Sequence, residues 1–434
     1  MGDEPAFAGT PWTPKMLEEL QKRKGYDVRP YLAWIASRGN IPEAARRAKA
    51  DYWDVWSDLL SQNYFTVLAD WCAANHCEYI VHLDQDNDNV KFVRSGGGYF
   101  KNMRPVAIPG IDVIWAQIWF NNRTDYPKLA SSAAHLFGKP HAFTESFAAF
   151  THPVDVPTAK WIMDYQLVRG INVVQVMFMG ASSRGPRRGG SFYASPDFPP
   201  VARYVHRCCY LLSQGRPAAQ IGIYMPTTSL WMGDNTADES NLAVARNLLA
   251  QQRDFDWVDE RALSSVLKLE GGALRNLSGQ GYRAIIVPGV SVISKAALDR
   301  LKAFVQAGGI VLFLGKEPTL VVDQTFLNAH LGPVDLSWAT VREPTGQFTA
   351  KVLEALPKAD VTLNKSAPSI KYVHRRRASG GCRGTNQSSV TVKDQSYAEK
   401  TTDQHPFSTF LHRSGGTNRR PDVRLPRDGL VLAG

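Results

Sequence analysis

Two acids carry the chemistry that this sequence offers. Glu4 stands in the run Asp3-Glu4-Pro5, and Glu145 closes the apolar run His141-Ala142-Phe143-Thr144 ahead of Ser146-Phe147. An acid at the end of an apolar run must find a partner or a pocket, because an isolated buried charge is costly. An Asp-Glu-Pro taken alone reads as a solvated turn. As a pair, the two acids suit a reaction in which one carboxyl gives a proton to a leaving oxygen. The other then activates water or attacks a sugar carbon.

The elements between them say how they could meet. Thr13 suits an N-cap and Pro14 a first helical turn, so Lys15 to Lys22 is predicted helical. Trp53, Trp56, Leu59, Leu60, Tyr64, Leu68 and Trp71 recur at helical steps, which predicts a helix over Asp51 to Ala74. Cys77 to Leu83 reads as a buried strand, and Ile111 to Trp119 as a second one introduced by the turn pair Pro109-Gly110. A helix over Tyr126 to Leu136 follows, then a strand over His141 to Glu145, a helix over Val156 to Arg169 and a strand over Asn172 to Phe178. This alternation predicts a parallel sheet with helices outside it. If a strand also ends just before Glu4, five consecutive strands result. Counted back from the last strand of a (β/α)8 TIM-type barrel, Glu4 ends strand four and Glu145 strand seven, so both point into one pocket.

Other strand ends supply further candidates. His82 and Asp84 close the strand from Cys77, while Trp115, Gln117 and Trp119 alternate along the strand from Ile111. Aromatic faces stack on sugar rings and amides bind hydroxyls, so these five read as substrate-binding residues, with barrel packing as the alternative for the tryptophans. No metal ligand set is assigned. Asp84, Asp86 and Asp88 invite a calcium reading, but the EF-hand template wants Gly and Glu where this chain has Asn89 and Ser95, which favours a solvated acidic loop. Gly96-Gly97-Gly98 lacks the context of a phosphate loop and reads as a flexible connection.

A second unit follows the predicted barrel over 1–215. Strands at Gln220 to Tyr224, Ala284 to Val287 and Ile310 to Leu314 alternate with helices at Asn241 to Gln252 and Lys295 to Ala307, the latter stopped by Gly308-Gly309, and Asp256-Trp257-Val258-Asp259 leads into Glu260. This predicts a doubly wound α/β domain over 216–345. A further β region begins at 346–373. From His374 to Gly434 the chain is polar and rich in Arg, Ser, Thr and Gly, which predicts disorder.

The chain has 434 residues, 44% of them hydrophobic, a formal charge of +10 and five cysteines. That length allows two or three domains. The charge is concentrated in the tail and at Arg184, Arg187 and Arg188, and no nucleic-acid module accompanies it. No apolar run reaches membrane-spanning length. The cysteines form no Cys-x-x-Cys pair and read as free thiols in a core.

The stretch from Gly2 to about Val373 resembles bacterial proteins of the glycoside hydrolase family 106 type, the α-L-rhamnosidases and their relatives. The resemblance rests on Asp3-Glu4-Pro5, Pro11-Trp12-Thr13, the run Lys24 to Leu32, Asp70-Trp71-Cys72, Pro109 to Asp112 and Phe143 to Phe147. It implies a carbohydrate substrate and hydrolysis with inversion, Glu4 acting as general acid and Glu145 as general base. The second unit resembles the class I glutamine amidotransferase-like domain that follows the barrel in several glycosidase families, including β-galactosidases where it helps trimers form, so a homo-oligomer is a candidate state. No Cys at its strand-to-helix turns supports amidotransferase chemistry. Relatives of this type are often periplasmic or secreted.

By that count strands one to three of the barrel would be missing, and an open sheet exposes unpaired edges. The chain thus reads as a fragment with Met1 as an internal start and a tail from a shifted frame. Two alternatives stand beside the inverting reading: a retaining, β-galactosidase-like glycosidase with Glu145 as nucleophile, and a truncated homologue that only binds carbohydrate. Inversion calls for carboxyls roughly 6.5–9.5 Å apart and retention for about 5–5.5 Å.

Overall fold

The computed structural model describes residues 1–7, 9–37, 39–119, 124–150, 154–176, 196–363 and 365–376, and traces the backbone of strands 389–395, 423–424 and 429–432. A first parallel sheet takes the strands in chain order: β1 (Ile80–Val81), β2 (Ile108–Val113), β3 (Phe143–Ser146) and β4 (Val173–Val176). Gly2 adds to its free edge, bridging Val81 in parallel and donating its N–H to the Ile80 carbonyl at 2.8 Å. The sheet thus has four strands, and the segment before Glu4 joins it through the single bridge at Gly2 rather than as a fifth strand. β2 and β3 are buried throughout, as befits parallel strands covered on both faces.

β2 departs from its predicted position. It spans Ile108–Val113, so Pro109 and Gly110 lie inside it, opposite Val81 and Phe143, rather than in a turn before it. Gly110 is there for space: a Cβ would strike the Phe143 ring and stand 2.5 Å from the Val81 carbonyl oxygen. The strand then ends at Val113, because Trp115 and Ala116 take left-handed φ values of 53° and 58°. Trp115, Gln117 and Trp119 accordingly sit on a loop and do not alternate along a strand.

The outer helices follow their apolar spacing with one phase change. α1 (Met16–Lys24) buries Met16, Leu20 and Lys24 and stops at Gly25, whose φ of 76° suits glycine. α2 (Glu43–Leu60) begins before the predicted Asp51 and runs through a π turn (Ser61–Phe65) into α3 (Thr66–Ala74). The wider turn rotates the downstream face. Trp53, Trp56 and Leu60 are buried before it and Phe65 and Ala69 after it, while Tyr64 and Trp71, spaced for burial in the sequence, are exposed.

A second parallel sheet is formed by β5 (Ile221–Tyr224), β6 (Phe255–Val258), β7 (Ala284–Pro288), β8 (Ile310–Leu314) and β9 (Val341–Glu343) in the order β9-β8-β7-β5-β6. The chain enters at β5, pairs β6 on one side and adds the rest on the other, the reversal of a doubly wound sheet. The two sheets are joined through a fully buried helix, α4 (Pro127–Leu136). Its Lys128 Nζ lies 2.7 Å from Asp254, and His135 Nδ1 lies 2.9 Å from Asp256 Oδ1. The Trp257 N–H donates to Ser132 Oγ at 2.9 Å. A second clamp uses the Lys24 to Leu32 run. Lys24 pairs with Asp51 and Asp54, Tyr26 donates to Asp51, and Asp51 accepts the Phe326 and Leu327 N–H groups at 2.9 and 3.1 Å.

The predicted disorder from His374 onward is corrected at its boundary. β10 (Ile370–Arg376) pairs with the short strand Arg216–Pro217 and with β11 (Ser389–Gln395), which also pairs with β12 (Gly429–Leu432). His374 and Arg375 are buried despite their polarity: His374 Nδ1 is 2.8 Å from Asp360, and Arg375 donates to the Gln214 and Gly215 carbonyls. The rest of that stretch lies outside the described residues, as do Arg184, Arg187, Arg188 and Cys382. Cys72, Cys77, Cys208 and Cys209 are free thiols, of which only Cys208 is fully buried. No helix among the described residues is long and apolar enough to cross a membrane.

Candidate active site

The carboxyl ends of the first sheet carry a compact polar cluster. Asp112, Glu145 and Gln175 are register partners across β2, β3 and β4, so their side chains leave the sheet on one face. His82 follows β1 directly and enters the same row. Asp3 and Glu4 follow the Gly2 bridge. His82, Asp112, Glu145 and the nearby Asp86 are buried, whereas Asp3 and Glu4 are exposed.

His82 is the centre of this cluster. Its Nε2 lies 3.1 Å from Glu145 Oε2 and 3.2 Å from Asp3 Oδ1, and its Nδ1 lies 3.3 Å from Asp112 Oδ2. The approach to Asp112 is an ion contact, since it does not meet the geometry of a directed hydrogen bond. Burial opposes a charge on the ring, but Asp112 and Glu145 outweigh it and raise the imidazole to about 10. His82 is therefore an imidazolium at neutral pH, a cation placed among carboxylates.

Glu4 also approaches the Asp112 carboxyl. Asp3, His82 and Glu145, and likewise Glu4, His82 and Asp112, each bring three polar atoms within 4.8 Å of one another. An oxygen-rich set of this size is close enough to surround one cation, and protonated His82 supplies that charge here. Glu4 is exposed as a residue, but partial desolvation of its carboxyl group, then the hydrogen bond and charge of Asp112, push that carboxyl up to about 7. Asp86 accepts the Asp112 N–H at 3.2 Å, and burial raises its own carboxyl well above the usual range.

Strained backbone surrounds the cluster. Eight non-glycine residues among those described have positive φ, and six of them, Glu4, Gln85, Trp115, Ala116, Phe147 and Ala149, follow the strand ends of this one sheet. Such strain persists where the surroundings over-determine it. Here the loops brace each other: the Phe147 N–H donates to the Val113 carbonyl and the Trp115 N–H to the Ala148 carbonyl.

The predicted site residues divide clearly. Glu4, Glu145 and His82 are brought together. Trp115 is 66% exposed on the rim, a free face for stacking. Trp119 is half-buried and packs edge-on against Phe150 at 6.0 Å. Gln117 turns inward instead, its Oε1 accepting from the Ile114 N–H and the Tyr126 hydroxyl, so it braces the loop. Asp84 accepts from Gln85 and Asp88 caps the helix Asn89–Ser95 while pairing with Lys91, so Asp84, Asp86 and Asp88 do not converge on a common ion. Asp3, Asp86, Asp112 and Gln175 were missed. A signal for Asp112 was present, since an acid inside the apolar run after Pro109-Gly110 needs a partner as much as Glu145 does. A cavity of about 450 Å³ lies elsewhere, lined by residues including Ser61, Arg104 and Arg261 and by none of the cluster.

Compared with the curated proteins, the chain has no matching relative. Solved structures similar to it include a rhamnosidase from Novosphingobium sp. PP1Y, at 22% identity and a TM-score of 0.59, with 85% of this chain and 37% of that one covered. An exo-carrageenase GH42 from Bacteroides ovatus follows at 14% identity and 0.57, covering 84% and 55%. A β-galactosidase from Bacillus circulans sp. alkalophilus gives 11% and 0.53, covering 84% and 55%. At these identities the likeness shows a shared mixed α/β fold, and the chain spans only 37% to 55% of the length of those proteins. The sequence model of the alpha-L-rhamnosidase family matches residues 6–383, a span that includes Glu145 and begins just after Glu4. By that match the chain belongs to glycoside hydrolase family 106, the alpha-L-rhamnosidases.

Proposed function

We propose that this chain carries the catalytic centre of an inverting α-L-rhamnosidase acting on rhamnosides of polysaccharides or glycosides, with Glu4 as general acid and Glu145 as general base. The observation that carries the reading is the meeting of the two strand-end glutamates at one imidazolium, His82. Glu4, raised to about 7, holds a proton in neutral and mildly acidic solution. It gives that proton to the glycosidic oxygen as the carbon–oxygen bond breaks. Glu145 takes a proton from a water molecule whose oxygen bonds to the anomeric carbon from the opposite face. The exposed Trp115 offers a stacking surface for the sugar.

The second sheet enters the proposal as a scaffold of the amidotransferase-like kind, and its dense contacts with α4 support that role. A homo-oligomer built through this unit belongs to the same reading.

The test is hydrolysis of an aryl α-L-rhamnoside by the chain and its variants. Glu145→Gln should lower kcat by about 10²–10⁴-fold, the usual contribution of a general base. Glu4→Gln should lose comparable activity on a poor leaving group and much less on an activated one, which needs little protonation. Equal activity of both variants and the parent on the poor leaving group would refute the assignment.

A further inference from the structure

Glu4 and Glu145 meet opposite charges. Glu145 Oε2 lies 3.1 Å from His82 Nε2, and the other ring nitrogen faces Asp112 Oδ2 at 3.3 Å. Asp112 Oδ1 is buried and has no hydrogen-bond donor among the described residues. The group that approaches the Asp112 carboxyl is another carboxyl, that of Glu4. Two carboxylates are both acceptors, so they bond only when one carries a proton. A proton on Glu4 supplies the donor that Asp112 lacks.

We infer that Asp112 and His82 are positioning residues that assign the two catalytic roles: Asp112 holds the proton on Glu4, and His82, held in turn by Asp112, keeps a positive charge against Glu145. The inference rests on the acid and base roles proposed above and gives them a physical origin. Every element around the cluster takes part. Asp3 follows the Gly2 bridge, Asp86 comes from the loop after β1, Asp112 from β2 and Glu145 from β3. Tyr126 at the start of α4 donates its hydroxyl to the Asp112 carbonyl at 2.6 Å. Asp86 is pushed toward its neutral form, which leaves Asp112 as the main negative neighbour of Glu4.

The arrangement also resets itself after turnover. Once Glu4 has given up its proton it is a carboxylate beside a carboxylate, and it recovers a proton from solvent. Glu145, having taken a proton from water, passes it on to solvent. No net charge accumulates over the cycle.

The experiment is a carboxyl titration of the whole chain by nuclear magnetic resonance with carbon-13 glutamate, the Glu4 signal being identified by its loss in Glu4→Gln. The parent should show a Glu4 midpoint of about 7. Asp112→Asn should lower it by about one unit or more, since a like charge is removed. His82→Gln should raise it, since a favourable positive charge is removed. A loosened site would admit water and lower the midpoint in both variants, so opposite signs separate positioning from disturbance. An unmoved midpoint in Asp112→Asn, or a fall in His82→Gln, overturns the inference. If Asp112→Asn loses its cooperative melting, the His82→Gln arm decides alone: a rise supports the inference, and no change or a fall overturns it. The titration does not depend on activity. Failure of the acid–base assignment in the hydrolysis assay is therefore distinguishable from failure of this inference.

Discussion

At the scale of single residues, the reactive pair was legible because apolar context makes an acid conspicuous. Glu145 lies one residue from the end of the buried strand β3, and His82 directly follows β1. Asp112 was hidden by its neighbours: Pro109-Gly110 reads as a turn in any sequence, and only the close approach of Phe143 and the Val81 carbonyl shows why a glycine stands inside that strand. The two shifted groups make a stability prediction. Glu4 binds its proton more tightly folded than unfolded, so its contribution is complete below its ordinary value of 4.5 and is lost as pH rises through about 7. His82 contributes fully below 6.5 and loses that contribution as pH rises through about 10. Urea melts of the parent, Glu4→Gln and His82→Gln from pH 5 to pH 10 should show the variants missing the first and the second part of the parent's decline, respectively. Stability rising over that interval because of either group would contradict the assignment. For Trp115, exposed and free to stack, Trp115→Ala should raise KM by about 2–10-fold, equivalent to roughly 0.5–1.5 kcal/mol of aromatic contact, with little change in melting temperature.

Secondary-structure elements were read well where one period ran unbroken and poorly where it changed phase. β3 and α4 fall close to their predicted positions. The α2–α3 helix did not keep its predicted face, because the π turn at Ser61–Phe65 inserts a residue that apolar spacing cannot reveal. Gly110→Ala tests the account of β2. Its Cβ would meet a backbone carbonyl as well as the Phe143 ring, so the strand must shift, at a cost of about 1–3 kcal/mol, and hydrolysis should fall because Asp112 lies two residues on. Wild-type stability and activity in that variant would show that the close approach has no consequence. Lys128→Ala addresses the contact between sheets. It leaves Asp254 buried without its cation, while Asp256 keeps His135, and denaturant unfolding should register a loss of about 3–5 kcal/mol.

For the molecule as a whole, the sequence conveyed two successive parallel α/β layers, because continuous apolar strands between helices have few other solutions. How the layers join was not legible. Lys24, Asp51, Lys128 and Asp256 are scattered along the chain and look like surface charges until folding buries them together. The same holds for His374 and Arg375, whose polarity suggested a tail, while Asp360 stands 14 residues before His374 and the Gln214 and Gly215 carbonyls that Arg375 reaches lie far away in sequence. Deleting residues 370–434 should therefore lower the melting temperature, as Gln252 also loses the Ile370 carbonyl to which it donates. An unchanged melting temperature would restore the reading of that stretch as dispensable. The central claim, that Glu4 and Glu145 act on opposite sides of one sugar, is tested most directly by following the anomeric proton during hydrolysis of an aryl α-L-rhamnoside by nuclear magnetic resonance. The account predicts that β-L-rhamnose forms first and then mutarotates; first formation of the α anomer, or no hydrolysis by the chain, would contradict it.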